Sequence, residues 1–143
     1  MQIVHIYAES ETADFRSMDR GVGYVLEAVL PSGKTVTREK FQWMTGTYND
    51  VILRAFNEAL ARMTGSSEIH LHTQDKYILT AIDRYLDNWE ANGFKNAKGE
   101  EISSAEQWKE FAGLIENHLI CVEPGHHSYL NWMINEMKHG EPA

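Results

Sequence analysis

Hydrophobic and polar positions alternate over residues 2–9, with Ile3, His5, Tyr7 and Glu9 on one side and Val4, Ile6 and Ala8 on the other. That period predicts a strand. Residues 10–20 are polar and predict a loop. Strands are expected at 22–30 and 35–43, joined as a hairpin by the Pro31-Ser32-Gly33-Lys34 turn. Between 48 and 63 the period changes: Ile52, Phe56, Ala59 and Met63 recur three and four residues apart, beside Ala55 and Leu60. This predicts a helix, opened by Thr47 or Asn49 and closed before Gly65. A fourth strand follows at 68–73, then helix over 75–93 in one or two pieces, ended by Gly93. Ser103-Ser104-Ala105-Glu106 has the form of a capping box and opens a helix with Trp108, Phe111, Ala112 and Ile115 along one stripe. A short fifth strand, Leu119–Val122, is broken by Pro124-Gly125, and a last helix covers 129–138. The order β-β-β-α-β-α-α-β-α implies an α/β domain with a mixed five-stranded sheet covered by helices. There is no internal repeat or linker, so residues 1–143 are expected to form one domain, loose only from Gly140 to Ala143.

Composition narrows the setting. The 143 residues are 43% hydrophobic and 24% charged, ordinary for a globular chain that buries roughly two-thirds of its unfolded surface. The single cysteine, Cys121, excludes an internal disulfide and a Cys-rich zinc pattern. It points to a reducing, cytoplasmic compartment. The first ten residues lack the basic and apolar regions of a signal peptide. No run approaches the ~18 apolar residues of a membrane span. The net charge is −8, and it is unevenly distributed. Residues 1–65 carry 7 basic and 8 acidic side chains, whereas residues 66–143 carry 6 and 13. A protein held mainly by phosphate contacts shows the opposite excess.

Several segments, taken in order, resemble type I ribonuclease H. Residues 88–108 read NWEANGFKNAKGEEISSAEQW, which has the frame of that family's substrate-binding handle. Residues 47–60, TYNDVILRAFNEAL, resemble its first helix, and 73–78, TQDKYI, its Thr-Asp-Ser-x-Tyr-Val. Gly125-His126 followed by Asn131 resembles its Gly-His loop, and the IYAES of the first strand sits where the family has an aromatic-Thr-Asp-Gly-Ser. The matches run from residue 3 to about 137. The resemblance implies three antiparallel strands followed by two parallel ones. It also implies two-metal hydrolysis of the RNA strand in an RNA/DNA hybrid, with two Mg²⁺ ions on four carboxylates. Those four positions fall on Glu9, Ile52, Gln74 and Asn135, of which only Glu9 is an acid. Asp75, Asp50 and Glu136 are nearby in sequence but turn away by strand and helix geometry. The expected reading is therefore a site that cannot hold the metal pair. Glu9 is the one metal ligand left, and Mg²⁺ or Mn²⁺ is needed only if the chain is an active nuclease. By the resemblance His126 takes the place of the family's mobile histidine, which assists product release; without the metal site, His126-His127 is read rather as an ordinary loop pair.

Other residues bear on binding. Residues 88–110 hold three lysines, Lys95, Lys98 and Lys109, against five glutamates, so the handle keeps its tryptophans and loses its charge. Arg38 and Lys40 share a strand face and, with Lys34 and the loop residues Arg16 and Arg20, make the one basic stripe. Together with Lys95 and Lys98 they are the expected contacts to a duplex, although a solvated face explains the stripe as well. Trp43, Trp89, Trp108, Trp132 and Cys121 are expected in the core. Asn131 and Asn135 share a helix face and either bridge the cleft or are solvated. His5, His70, His72 and Glu9 are placed to approach one another on two adjacent strands. They are either hydrogen-bonded polar residues or a replacement transition-metal site. The function expected is a non-hydrolytic module that binds a protein partner, a second copy of the chain or nucleic acid, and no membrane. The alternative is a metal-dependent ribonuclease H centred on Glu9.

Overall fold

The structure is a computed structural model. It describes residues 1–140, and the rest of the expected loose end, 141–143, lies outside the described residues. Three strands come first: β1 (Gln2–Ser10), β2 (Met18–Val29) and β3 (Thr35–Gly46). Helix α1 (Tyr48–Leu60) leads to β4 (Ser67–Thr73). Next come α2 (Lys76–Thr80), a π-helical turn (Ala81–Tyr85) and α3 (Leu86–Ala91). Helix α4 (Ala105–Leu114), strand β5 (Leu119–Pro124) and helix α5 (Leu130–His139) complete the chain. The sheet order is β3-β2-β1-β4-β5. The β1–β2 and β2–β3 pairs are antiparallel, and β1–β4 and β4–β5 are parallel. This is the mixed sheet expected. Among the described residues no helix is long and apolar enough to cross a membrane.

Strand alternation decides what each face holds. Val4, Ile6 and Ala8 of β1 pair with Ala28, Leu26 and Tyr24 of β2, and Val4 and Ile6 with Ile69 and Leu71 of β4. These side chains meet Val51, Ile52, Ala55, Phe56 and Ala59 of α1 in one apolar core. Trp108 and Phe111 of α4 close its end, and the Trp89 ring lies 5.1 Å from that of Trp108. On the opposite face, α5 packs on β1, β2 and β3, with Met133 and Met137 against Tyr7 and Val25. Gly23, in register with Glu9, is required there: a Cβ would lie 2.2 Å from the Phe41 ring.

Several element ends differ from the pattern. β2 begins at Met18, inside the segment expected to be loop. The cause is Arg20, whose fully buried guanidinium donates to the carbonyls of Thr12, Asp14 and Arg16. It ties the loop backbone to the sheet and does not face a ligand. Helix α1 stops at Leu60, because Arg62 and Met63 bond three residues back in a tighter turn. The capping box does not form. The residue before α4 is Ser104, in the left-handed region (φ 59°), and its hydroxyl donates to Asp50 at 2.9 Å. Strand β5 runs through Pro124, which an edge strand tolerates because the missing N–H is not needed there.

Candidate functional site

Glu9 ends the polar side of β1 and is fully buried. A buried carboxylate needs donors, and the chain supplies them from two elements. The Gln74 backbone N–H donates at 3.1 Å to Oε2 and reaches Oε1 at 3.4 Å, and the Thr73 hydroxyl donates to Oε1 at 3.4 Å. From the β5–α5 loop, His127 Nε2 lies 2.7 Å from Oε2. The backbone N–H of Tyr129 donates to His127 Nδ1 at 3.2 Å. Nδ1 is thus the acceptor, and the ring proton sits on Nε2, where it is donated to Glu9. His127 is 8% exposed. The Tyr7 ring packs against both His127 and Tyr129, at 4.9 and 4.8 Å. Burial pushes the Tyr7 hydroxyl up to about 12. The Tyr129 hydroxyl donates to Glu27 at 2.6 Å and is also held up to about 12, first by that bond and then by burial.

Asp75, expected to turn away as a strand residue, is instead the cap of α2 and lies beside this group. Its carboxylate caps α2 by accepting from the Ile78 N–H at 3.2 Å. With its amide oriented to satisfy both groups, Asn49 donates to it at 2.7 Å. Burial nonetheless raises Asp75 to about 6, and the charge of Glu9 adds to the rise. Tyr48, buried against the same two carboxylates, is also raised.

The other three positions implied by the resemblance are not brought to Glu9 as ligands. Ile52 is 0% exposed within the α1 core, Gln74 contributes its backbone while its side chain is exposed, and Asn135 is exposed on α5. Asp50 is engaged by Ser104 and by Arg54, the latter at 3.5 Å. The donor chemistry at Glu9 is also wrong for cations. Its oxygens already face N–H and O–H groups, which present positive hydrogens where a Mg²⁺ pair needs oxygen lone pairs and negative charge. Among the described residues no three His, Cys, Asp or Glu side chains are arranged to hold a metal ion. The residues present do not fit two divalent cations, so no step is derived through them.

The expected site histidine also changes. His126 is exposed, and the neighbouring His127 reaches Glu9. The signal was present in the spacing: His127, Leu130, Met133 and Met137 continue one buried stripe at helical intervals. Trp132 is 39% exposed against Phe41 and is not core, and Cys121 is half-buried and free. The basic residues are spread out. Arg38 donates to the adjacent Thr37 carbonyl, and Lys40 lies 3.4 Å from Glu58 of α1. Lys95 and Lys98 are exposed on the handle, where the Lys95 backbone bridges to Glu101. Lys109 pairs with Glu101 and Glu106. Exposed pairs of this kind contribute little to stability, but they offset the charge a phosphate would meet.

A model of the RNase H family matches residues 4–137. The curated ribonuclease H of Syntrophomonas wolfei is 36% identical over 73 residues, which is 50% of this chain and 50% of that protein. The ribonuclease H of Parvibaculum lavamentivorans is 28% identical over 74 residues, 52% and 49% of the two chains. The chain thus spans about half the length of the curated relatives it matches. Among solved structures, LC9-RNase H1, described as a type 1 RNase H with the type 2 active-site motif, superposes with a TM-score of 0.72 at 20% identity, covering 97% of this chain and 70% of that one. LC11-RNase H1 in complex with RNA/DNA hybrid superposes with a TM-score of 0.63 at 16% identity, covering 96% and 98%. At these identities the likeness is one of fold.

Proposed function

The chain belongs to the RNase H family, and from that premise we propose that it is a non-hydrolytic member, a module that binds a partner through the RNase H fold. The observation that carries this reading is Ile52. The position that the resemblance assigns to a catalytic carboxylate holds a side chain with no ligand atom, sealed in the core at 0% exposure. The neutral Gln74 and Asn135 and the Glu9 carboxylate already bonded by the protein's own donors support it. A protein partner or a second copy of the chain is favoured over a duplex. The net charge is −8, and Lys40 and Lys109, two cations of the expected basic surface and handle, face carboxylates of the chain itself. The reading needs no metal cofactor and suits a reducing, cytoplasmic setting in which Cys121 stays a thiol.

A second reading is kept by one observation: the curated relatives carry the name ribonuclease H. In that case Glu9 works with Mg²⁺ or Mn²⁺ in an unusual site. The deciding experiment is cleavage of an end-labelled RNA/DNA hybrid with each metal, for the wild type and Glu9→Gln. The expected result is no cleavage under either metal. Cleavage by the wild type that disappears in Glu9→Gln overturns the proposal.

A further inference from the structure

Apart from the Glu9 group, the same sheet face carries a second set of chemistry-bearing side chains that the proposed function does not use. Register places them in rows across three strands. His5 of β1 pairs with His70 of β4, and His70 with Cys121 of β5; one step on, Tyr7 pairs with His72 and His72 with Glu123. Helix α5 packs on β1, β2 and β3, and His5, His70 and His72 remain only half-buried. His70 is fully engaged, with its two ring nitrogens 2.8 and 2.7 Å from Glu123 and Glu68. His5 and His72 are different. Nδ1 of His5 and Nε2 of His72 point at each other across 2.9 Å.

The geometry points to a two-imidazole clamp, His5 and His72, that binds a borderline divalent cation such as Zn²⁺ or Ni²⁺ between Nδ1 and Nε2, the proton now held there moving to the far nitrogen of its own ring. Imidazole nitrogen is a good ligand for such ions, and Mg²⁺, which takes hard oxygen, is not served by it. Two nitrogens at ~2.0–2.1 Å from one tetrahedral ion stand about 3.4 Å apart, so the rings need to part by only a few tenths of an ångström. The strands fix both Cα positions in parallel register, and stacking fixes the rings: His72 lies 4.3 Å from the Tyr7 ring and His5 lies 4.8 Å from the His70 ring. Ligation requires neutral rings, and burial favours the neutral form of both. Burial lowers His5 and takes His72 to about 4, and neighbouring histidines push both the same way. Because no three metal-ligating side chains converge among the described residues, the site is an open one. The protein gives two ligands, and the remaining positions belong to water or to an outside ligand. The inference does not depend on whether the chain cleaves nucleic acid.

The test is isothermal titration of the untagged chain at pH 7.5 with ZnCl₂, NiCl₂ and MgCl₂. The expected result is one saturable equivalent of Zn²⁺ and of Ni²⁺ and none of Mg²⁺. Affinity should fall at least tenfold in His5→Gln and in His72→Gln and stay unchanged in His139→Gln, a control on the exposed end of α5. Because His72→Gln can perturb packing, ring ¹⁵N spectra of the wild type give a second readout. Zn²⁺ should shift Nδ1 of His5 and Nε2 of His72 and leave the His70 nitrogens in place. Absence of saturable binding, or binding that survives both histidine substitutions, overturns the clamp and leaves the pair as a hydrogen bond alone.

Discussion

On the sheet face that carries α1, Val4, Ile6 and Ala8 of β1 meet Ile52 and Phe56 in an apolar core. On the opposite face the same strand presents His5, Tyr7 and Glu9, and every one of these makes a directional or stacking contact. The two faces treat positions that the resemblance aligns with metal ligands in opposite ways. On the α1 side an isoleucine carries no desolvation cost and adds apolar burial, so Ile52 is part of the core. On the other side the carboxylate stays, and its charge is met by Gln74 N–H, Thr73 and His127. One position is thus sealed in the apolar core, and the other keeps an anion whose charge the protein's own donors meet.

The comparison breaks most visibly at Ile52. Ile52→Glu must bury a carboxyl group without a partner. It is expected to cost more than about 3 kcal/mol and in effect to unfold the domain. Gln74→Asp, which puts a carboxylate on an exposed side chain, should stay within about 0.5 kcal/mol. Urea unfolding of the two variants measures both. An Ile52→Glu protein as stable as the wild type would show that position 52 reaches the site edge after all, and the sealed-wall argument would fail.

The polar face is sharpened by a double-mutant cycle on Glu9 and His127. Removing His127 leaves a buried carboxylate with one donor fewer, so His127→Gln should lose about 1–3 kcal/mol. Glu9→Gln removes the charge and should lose a similar amount. The double variant should lose less than the sum, with a coupling on the order of 1–2 kcal/mol. His126→Gln, one residue away and exposed, should change nothing. Additivity within error would mean that the 2.7 Å contact does not tie the β5–α5 loop to β1.

How much of this could be read from the chain follows the same division. The α1 face was legible because period carries it: Ile52, Phe56, Ala59 and the alternation in β1 specify a buried stripe and its partner sheet. The order of strands and the topology followed. The polar face was only partly legible. Alternation places His5, Tyr7 and Glu9 together, and the stripe of His127, Leu130, Met133 and Met137 marks His127 as buried, but its meeting with Glu9 depends on the path of the β5–α5 loop, which has no period. Arg20 was misread for a related reason. Its polar neighbours suggested loop, whereas its guanidinium satisfies the carbonyls of Thr12, Asp14 and Arg16 from inside. Ser104 was misread because a tertiary partner, Asp50, competed with the local cap.

The smallest expected effect concerns how dry the Glu9 neighbourhood is, and Asp75 reports it. This carboxyl is 3% exposed. It faces the charge of Glu9, the hydroxyls of Tyr48 and Tyr77, the Asn49 amide and the start of α2. The helix N–H groups favour its ionised form, yet burial and then Glu9 outweigh them and hold it near 6 rather than the ordinary 3.8. With the folded value raised, the native state binds the proton more tightly than the unfolded chain does. The contribution of Asp75 to stability is therefore full below about pH 4 and is lost as pH rises through 6. Between pH 7 and pH 5 the wild type should regain about 1 kcal/mol from this group. Asp75→Asn keeps the shape and the cap but has no proton to gain, so subtracting its urea midpoints at the two pH values from those of the wild type cancels the other titrating groups. Parallel behaviour of the two proteins would mean that Asp75 is ionised beside Glu9 at pH 5. Water would then reach a site whose closure is the reason its carboxylate needs His127.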